Sequence, residues 1–268
     1  ISLEKLGMGR GPLNTLRSLF SRPDGLLLVT GPTGSGKTST LYAMLNEMET
    51  TKLNIVTLED PIEVQLNQIT QGQVQPRAGF TFASGLRAIL RQDPDVILVG
   101  EMRDPETAAI AVQASLTGHL VLSTMHTNST IATITRLIDL GLEPYIVANA
   151  LLGVVSQRLI RMLCPDCREE YPFQPSGNME EDFGIESGTP LFRPKGCRTC
   201  MMSGFTGRRG IYEAVIIDDD LRGLIKRKAD PQDYKAVLKA QGIPTLRQVG
   251  MRQVRKGRTS ASEVLRVT

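Results

Sequence analysis

At 268 residues, 41 % of them hydrophobic, the chain can bury a sizeable core and has room for one large domain with attachments, read as two or three units. Aromatic residues make up only 4 % and Trp is absent while glycine is frequent, which suits an α/β nucleotide-binding domain better than an all-β one. A formal charge of +3 fixes no partner class, and apolar runs such as 26–29 and 96–99 are far too short to span a bilayer. Residue 1 is Ile, with neither a basic n-region nor an apolar h-region behind it. No export signal is expected, cytosol is the default location, and the sequence reads as part of something longer.

Residues 1–21 carry Leu3, Leu6, Met8, Leu13, Leu16 and Leu19 around a glycine-rich break at 9–11, and read as a leading arm and a helix. An apolar segment, 25–30, then runs into Gly31-Pro32-Thr33-Gly34-Ser35-Gly36-Lys37-Thr38, followed by a helix-like stretch over 39–49 that Ser39 opens. Strand, glycine-rich turn and helix with the spacing G-x-x-x-x-G-K-[ST] make a P-loop, whose backbone N–H groups and helix N-terminus face phosphates. Glycine is needed there because a Cβ would block the backbone's approach and because the turn uses φ > 0. Lys37 would reach the β- and γ-phosphates, and the Thr38 hydroxyl would ligate Mg²⁺. An ordinary glycine-rich βα turn is the competing reading, and the joint match of every fixed position speaks against it.

The β-rich run 54–58 ends in Glu59-Asp60-Pro61-Ile62-Glu63, so three carboxylates lie at or just past a strand's carboxyl end. Open α/β sheets bind ligands at that edge. A solvated acidic turn shaped by Pro61 is the alternative; beside a P-loop, a role toward Mg²⁺ and the attacking water gains weight. Residues 65–80, with many Gln and with Gly72 and Gly79, read only as a strand pair or a long loop. A helix is expected over 82–92, closed by Asp93-Pro94. Arg87 and Arg91, four apart, would share one of its faces and grip a γ-phosphate or a neighbouring subunit, or else pair with surface carboxylates.

Val96-Ile97-Leu98-Val99 reads as a strand buried on both faces of a parallel sheet. Glu101 follows at its end, the position of a Walker B acid that polarises water or holds the Mg²⁺ shell, although Gly100 stands where an Asp is usual. A small-residue helix over 105–116 ends at Gly118, and 119–124 is a further buried strand capped by Met125-His126-Thr127. The only two histidines bracket that strand, and His126 lies at the edge where it could sense a γ-phosphate.

Cys164-x-x-Cys167 and Cys197-x-x-Cys200 are the spacing of a closed four-thiolate Zn²⁺ site; buried free thiols are the alternative, and disulfides do not suit a reduced cytosol. The insertion between them holds Pro172, Pro175, Pro190 and Pro194 with little periodicity, so its middle is expected to be mobile. Beyond Tyr212 the pattern turns helical, with Asp230-Pro231 as a cap and Ser260-x-x-Glu263 as a capping box. Basic clusters at 226–228 and 252–258 read as solvated faces, with lipid or partner contact as a minor reading.

Several long blocks go beyond generic P-loop wording: VTGPTGSGKT (29–38), VTLEDPIE (56–63), LRAILRQDPDVILVGEMRD (86–104), TGHLVLSTMHTN (117–128), LLGVVSQRLIRMLCPDC (151–167) and GRRGIYE (207–213). In them the chain resembles the secretion ATPase superfamily, the hexameric motors of type II secretion and type IV pilus assembly. The resemblance implies a RecA-like ATPase domain at 1–162, a tetracysteine zinc subdomain at 163–211 and a small C-terminal helical domain at 212–268. It also implies ATP hydrolysis with Mg²⁺, a Walker B element that keeps Glu101 without the Asp, assistance from Glu63, and Arg87 and Arg91 near phosphates. Family members that export pseudopilins or extend pili carry the four cysteines, so assembly is favoured over retraction; secretion is preferred to pilus extension on the overall wording of the sequence. The implied setting is a homo-hexamer on the cytoplasmic face of the inner membrane, against platform proteins and acidic phospholipid. A nucleic-acid motor is the rival from another class; with no aromatic-basic interleaving, no nucleic acid is expected. An N-terminal portion that supplies further arginines in the family has no counterpart in these residues, so weak turnover and poor ring formation are expected of this chain alone.

Overall fold

The computed structural model describes residues 2–174 and 184–268, and the chain divides into two compact units. The first comprises Ile1–Ser156 with Ala214–Ile243, the second Gln157–Glu213 with Pro244–Thr268. Pro175, in the insertion's expected mobile middle, lies outside the described residues. Among those described, no helix is long and apolar enough to cross a membrane.

A seven-stranded sheet of order β3-β2-β4-β5-β1-β6-β9 is built from β1 Gly25–Thr30, β2 Ile55–Glu59, β3 Thr70–Gln73, β4 Val96–Val99, β5 Leu120–Met125, β6 Leu151–Leu163 and β9 Phe205–Ile216. The pairs β3-β2, β2-β4, β4-β5, β5-β1 and β1-β6 are parallel. Every residue of β1, β2, β4 and β5 is buried, which is why these strands are mostly apolar without alternation; buried Thr57, Glu59, Ser123 and Thr124 are the polar members of β2 and β5 toward their carboxyl ends.

The helices of this unit include α1 Arg10–Phe20, α2 Lys37–Leu45, α3 Phe82–Ile89, α4 Pro105–Leu116, α5 Thr130–Asp139, α6 Pro144–Ala150, α7 Asp219–Lys226 and α8 Pro231–Ala240. Asp104 starts α4 by accepting the Thr107 N–H at 2.8 Å, with Pro105 in the first turn. Ala108, Ala111 and Ala114 are buried, so α4 lies close against β1 and β5. Helix α3 stops at Ile89, short of the expected 92; Arg91 and Gln92 donate to carbonyls three residues back, so Arg91 leaves the face that carries Arg87.

Residues 212–268, expected as one helical domain, are shared between the units. Strand β9 first runs on to Ile216. Leu221, Leu224, Ile225 and Tyr234 of α7 and α8 then join the core of the first unit. The helices after Pro244, α9 Leu246–Arg255 and α10 Ala261–Val267, instead bury Leu246, Met251, Val254 and Val264 with Ile160, Leu191 and Ile211 in the second. There the short strands β7 Glu169–Pro172 and β8 Pro190–Arg193 pair antiparallel.

Ser260 caps α10 by accepting the Glu263 N–H, but the Glu263 side chain does not complete a capping box. Its fully buried carboxylate accepts Arg161 Nη2 at 2.7 Å and Nε at 3.0 Å, and Arg266 Nη2 at 2.7 Å. Burial raises its pKa, and the bonds from Arg266 and Arg161 more than offset that, bringing it from 4.5 to about 2. The stability this group contributes is therefore fully present above pH 4.5 and is lost as pH falls through 2. Glu263→Gln should cost about 3 kcal/mol, the low end for a broken buried pair because both arginines stay partly solvated. Urea unfolding at pH 7 reads that loss, and the difference from wild type should shrink as the pH is lowered below 4.5.

Candidate functional site

The P-loop leaves β1 at the sheet's carboxyl edge and enters α2. Gly34 and Gly36 adopt φ of 76° and 87°, where a side chain would be strained, and Gly36 is the N-cap of α2. Pro32, Thr33 and Gly34 are exposed at the tip, whereas Gly31, Ser35 and Lys37 are buried and Thr38 and Ser39 half-buried. Lys37 Nζ turns back on its own loop, donating to the Gly31 carbonyl at 2.9 Å and the Pro32 carbonyl at 3.1 Å. Backbone oxygens thus hold the ammonium where phosphate oxygens could replace them.

Register brings the other strand ends alongside. Leu58 pairs with Val99, Val99 with Ser123, and Thr30 with Met125. Asp60 directly follows β2 and Glu101 lies two residues past β4, at the same carboxyl edge as Gly31, which follows Thr30 of β1. Glu101 is clasped from two sides, by Arg103 Nη2 at 2.7 Å and by His126 Nε2 at 3.1 Å. Burial opposes its ionisation, and Arg103 with His126 outweighs burial, so its carboxyl titrates below the ordinary range. At Gly100, where an Asp is usual, a Cβ would lie 3.2 Å from the Leu58 carbonyl oxygen and 3.4 Å from Glu59 Cα, a tight fit against the backbone of β2.

The acidic cluster splits into unlike members. Glu59 is buried and takes hydrogen bonds from the Tyr42 hydroxyl, Thr57 Oγ1 at 2.6 Å and Gln71 Nε2 at 3.1 Å. Asp60 and Glu63 are exposed at the edge. Burial, and then the bond to Glu59, push the Tyr42 phenol up to about 12. Arg87 is exposed and pairs with Glu106 at 2.7 Å. Arg91 lies past the end of α3, beside Gln92 and Asp93, whose carbonyls accept from Asn54 just ahead of β2. That is the amino edge of the sheet, away from this chain's own P-loop. His119 is there too, with Nδ1 at 3.0 Å from the Ala114 carbonyl. Arg103 and Tyr42 were not singled out from the sequence. A basic residue two after a strand-end Glu projects to the same side in extended chain, a usable signal for Arg103; Tyr42 passes for a core residue.

In the second unit Cys164, Cys167, Cys197 and Cys200 have their sulfurs within 4.8 Å of one another. Three of the separations are 3.9, 3.8 and 3.7 Å. Tetrahedral coordination at Zn–S of about 2.3 Å requires sulfurs about 3.8 Å apart, so the cluster is compatible with zinc. Cys167 Sγ accepts the Gly196 N–H at 3.3 Å, and Cys200 Sγ accepts those of Cys197 and Gly204, each at 3.2 Å. Burial pushes the Cys164 thiol up and Cys167 to about 12; it opposes ionisation of Cys200 as well, but the two N–H donors bring that thiol down to about 6.

A parallel sheet with a glycine-rich loop, a Lys and a strand-end Glu along one carboxyl edge defines a P-loop nucleotide-binding protein. The chain belongs to the Type II/IV secretion system protein family, whose family model matches residues 1–266. It is 50 % identical over 270 residues to the type II secretion system ATPase E of Vibrio cholerae serotype O1. It is 52 % identical over 268 residues to the type II secretion system protein E of Pectobacterium carotovorum. Both alignments cover 100 % of this chain and 53 % of the relative, so the chain spans about half the length of these curated relatives. Among solved structures it is similar to the pilus retraction motor PilT with bound ADP, at a TM-score of 0.75 and 30 % identity, covering 100 % of this chain and 67 % of that one.

Proposed function

We propose that this chain is the motor portion of a type II secretion ATPase, hydrolysing ATP to power pseudopilus assembly and protein export from the cytoplasmic face of the inner membrane. The observation that carries the reading is the juxtaposition of the P-loop with a Glu101 held between Arg103 and His126. Lys37 and the backbone N–H groups of residues 33–38 hold the phosphates once the ammonium exchanges carbonyl for phosphate oxygens. Thr38 would hold Mg²⁺, with Glu101, Asp60 and Glu63 as the acidic groups of the same sheet edge, and the bound ion would supply charge neutralisation on the phosphates. Glu101, ionised at neutral pH, accepts a proton from or orients the attacking water, with Glu63 assisting. His126 bonds Glu101 and faces outward, so it can relay the state of the γ-phosphate to the rest of the subunit.

Arg87 and Arg91 are read as serving a neighbouring subunit's nucleotide in a homo-hexameric ring, because here Arg87 is paired with Glu106 and Arg91 lies at the amino edge of the sheet. Secretion is preferred because the relatives near 50 % identity carry that name. Platform proteins and acidic lipid at the inner membrane are the proposed partners, and zinc the proposed occupant of the cysteine cluster. Lys37→Ala tests the reading: Mg²⁺-dependent ATP turnover should fall about a hundredfold or more, as on loss of one preorganised donor. Equal turnover by wild type and variant in a phosphate-release assay would refute it.

A further inference from the structure

The glutamine-rich stretch after the acidic strand end has no part in the chemistry above, yet its side chains are heavily used. Gln71 Nε2 donates to Glu59 Oε1 and to the Val64 carbonyl, both at 3.1 Å, while its Oε1 accepts the Leu66 N–H at 2.7 Å. Gln73 Oε1 accepts the Ile62 N–H at 3.2 Å. On the other side the Tyr42 hydroxyl donates to Glu59 Oε2 and accepts the Glu63 N–H at 3.4 Å. The backbone of the acidic loop is thus tied at 62, 63, 64 and 66, while Asp60 and Glu63 remain exposed.

Tyr42 belongs to α2, the helix that the P-loop opens, and lies four residues after Thr38. Residues four apart share one face of a helix, so the face that offers the Thr38 hydroxyl to a metal ion carries, one turn deeper, the phenol that grips the acidic loop. The Glu59 carboxylate is engaged by protein donors on both oxygens, which suits an anchor better than a metal ligand.

We propose that Tyr42 is a positioning residue, which with Gln71 and Glu59 sets Asp60 and Glu63 at a fixed offset from the P-loop helix. The inference rests on the ATPase reading and gives Glu59 a role in it. A tyrosine is needed because the group must lie in a buried helix–sheet contact and still present an O–H that donates and accepts at once. Phenylalanine would fill the same space and remove the ties to Glu59 Oε2 and to the Glu63 N–H, leaving only those made by Gln71 and Gln73.

Tyr42→Phe is therefore the test, read in steady-state ATP hydrolysis and in binding of a fluorescent ATP analogue across a Mg²⁺ titration. Loss of one hydrogen bond to a carboxylate converts to about tenfold. The expected result is a kcat lower by about tenfold, a half-saturating Mg²⁺ raised by a similar factor, and a KM for ATP within about twofold. Gln71→Leu, on the edge strand β3, should shift the same two quantities in the same direction, and it decides the matter should Tyr42→Phe fold poorly. Wild-type kcat and Mg²⁺ dependence in the variants, or a lowered melting temperature with both unchanged, overturns the proposal. Glu101→Gln is assayed alongside. Full turnover in that variant removes the ATPase reading, and Mg²⁺-dependent analogue binding still decides the role of Tyr42.

Discussion

Replacing Glu101 by Gln is expected to lower ATP turnover by about a hundredfold or more and to leave ATP binding within a few-fold of wild type. The amide keeps the shape of the carboxylate and an acceptor for Arg103, so the strand end should hold its course, while the negative charge proposed to draw a proton from water is gone. Turnover is read by phosphate release and binding by a fluorescent nucleotide; equal slow hydrolysis by wild type and variant would identify a nucleotide-gated scaffold instead. The pH profile gives a second, independent reading. Because Arg103 and His126 hold the Glu101 carboxyl below its ordinary value, the acid-side loss of activity due to this group should fall below pH 4.5. Arg103→Ala leaves burial less opposed, so the same limb should move to higher pH. A profile that stays in place in Arg103→Ala would mean that another group sets the acid limb.

The parts of this site that could be read from the sequence are those whose chemistry depends on local spacing. The P-loop over 31–38 is a continuous run with a backbone requirement, and Glu101 follows a strand recognisable by four apolar residues. What could not be read depends on partners chosen by the fold. Ser260 and Glu263 have capping-box spacing, and the Ser caps as expected, yet Glu263 serves Arg161, which only the tertiary fold brings near. Gln71 and Gln73 show no periodicity because their side chains act on loop backbone rather than on a core. Tyr42 sits among buried Leu and Met residues of α2, and nothing local separates a phenol that bonds from one that merely fills space. Gly100 is legible only as a departure; the closeness of the Leu58 carbonyl across the sheet is a product of the fold. The helices after Tyr212 carry clear amphipathic signals, but such a signal says that a face will be buried, not in which core.

Removing metal from the cysteine cluster is expected to unfold the second unit and spare the first. The two Cys-x-x-Cys turns converge from chain ends 33 residues apart in sequence, and their sulfurs lie at the separations that a tetrahedral ion imposes. With zinc as the proposed occupant, chelation would break the bonds that hold these two turns together. The core they staple is small, with Ile160, Phe173, Ile185, Leu191, Ile211, Leu246, Met251, Val254 and Val264 buried in it. Structural zinc contributes about 10 kcal/mol or more, as much as the whole stability of a typical domain of about 5–15 kcal/mol. The first unit has its own and larger core around the sheet, from Leu26 to Tyr234, which owes nothing to the sulfurs. Metal analysis under reducing conditions should give about one zinc per chain, and Cys164→Ser with Cys197→Ser should abolish it. Hydrogen exchange after chelation should then show loss of protection at Cys164, which donates to the Gly204 carbonyl, and at Leu163, which donates to that of Arg258. Amides of β1, β4 and β5 should keep theirs, and ATP should still bind. Negligible zinc together with full protection at Cys164 would mean that the thiols are held by packing alone.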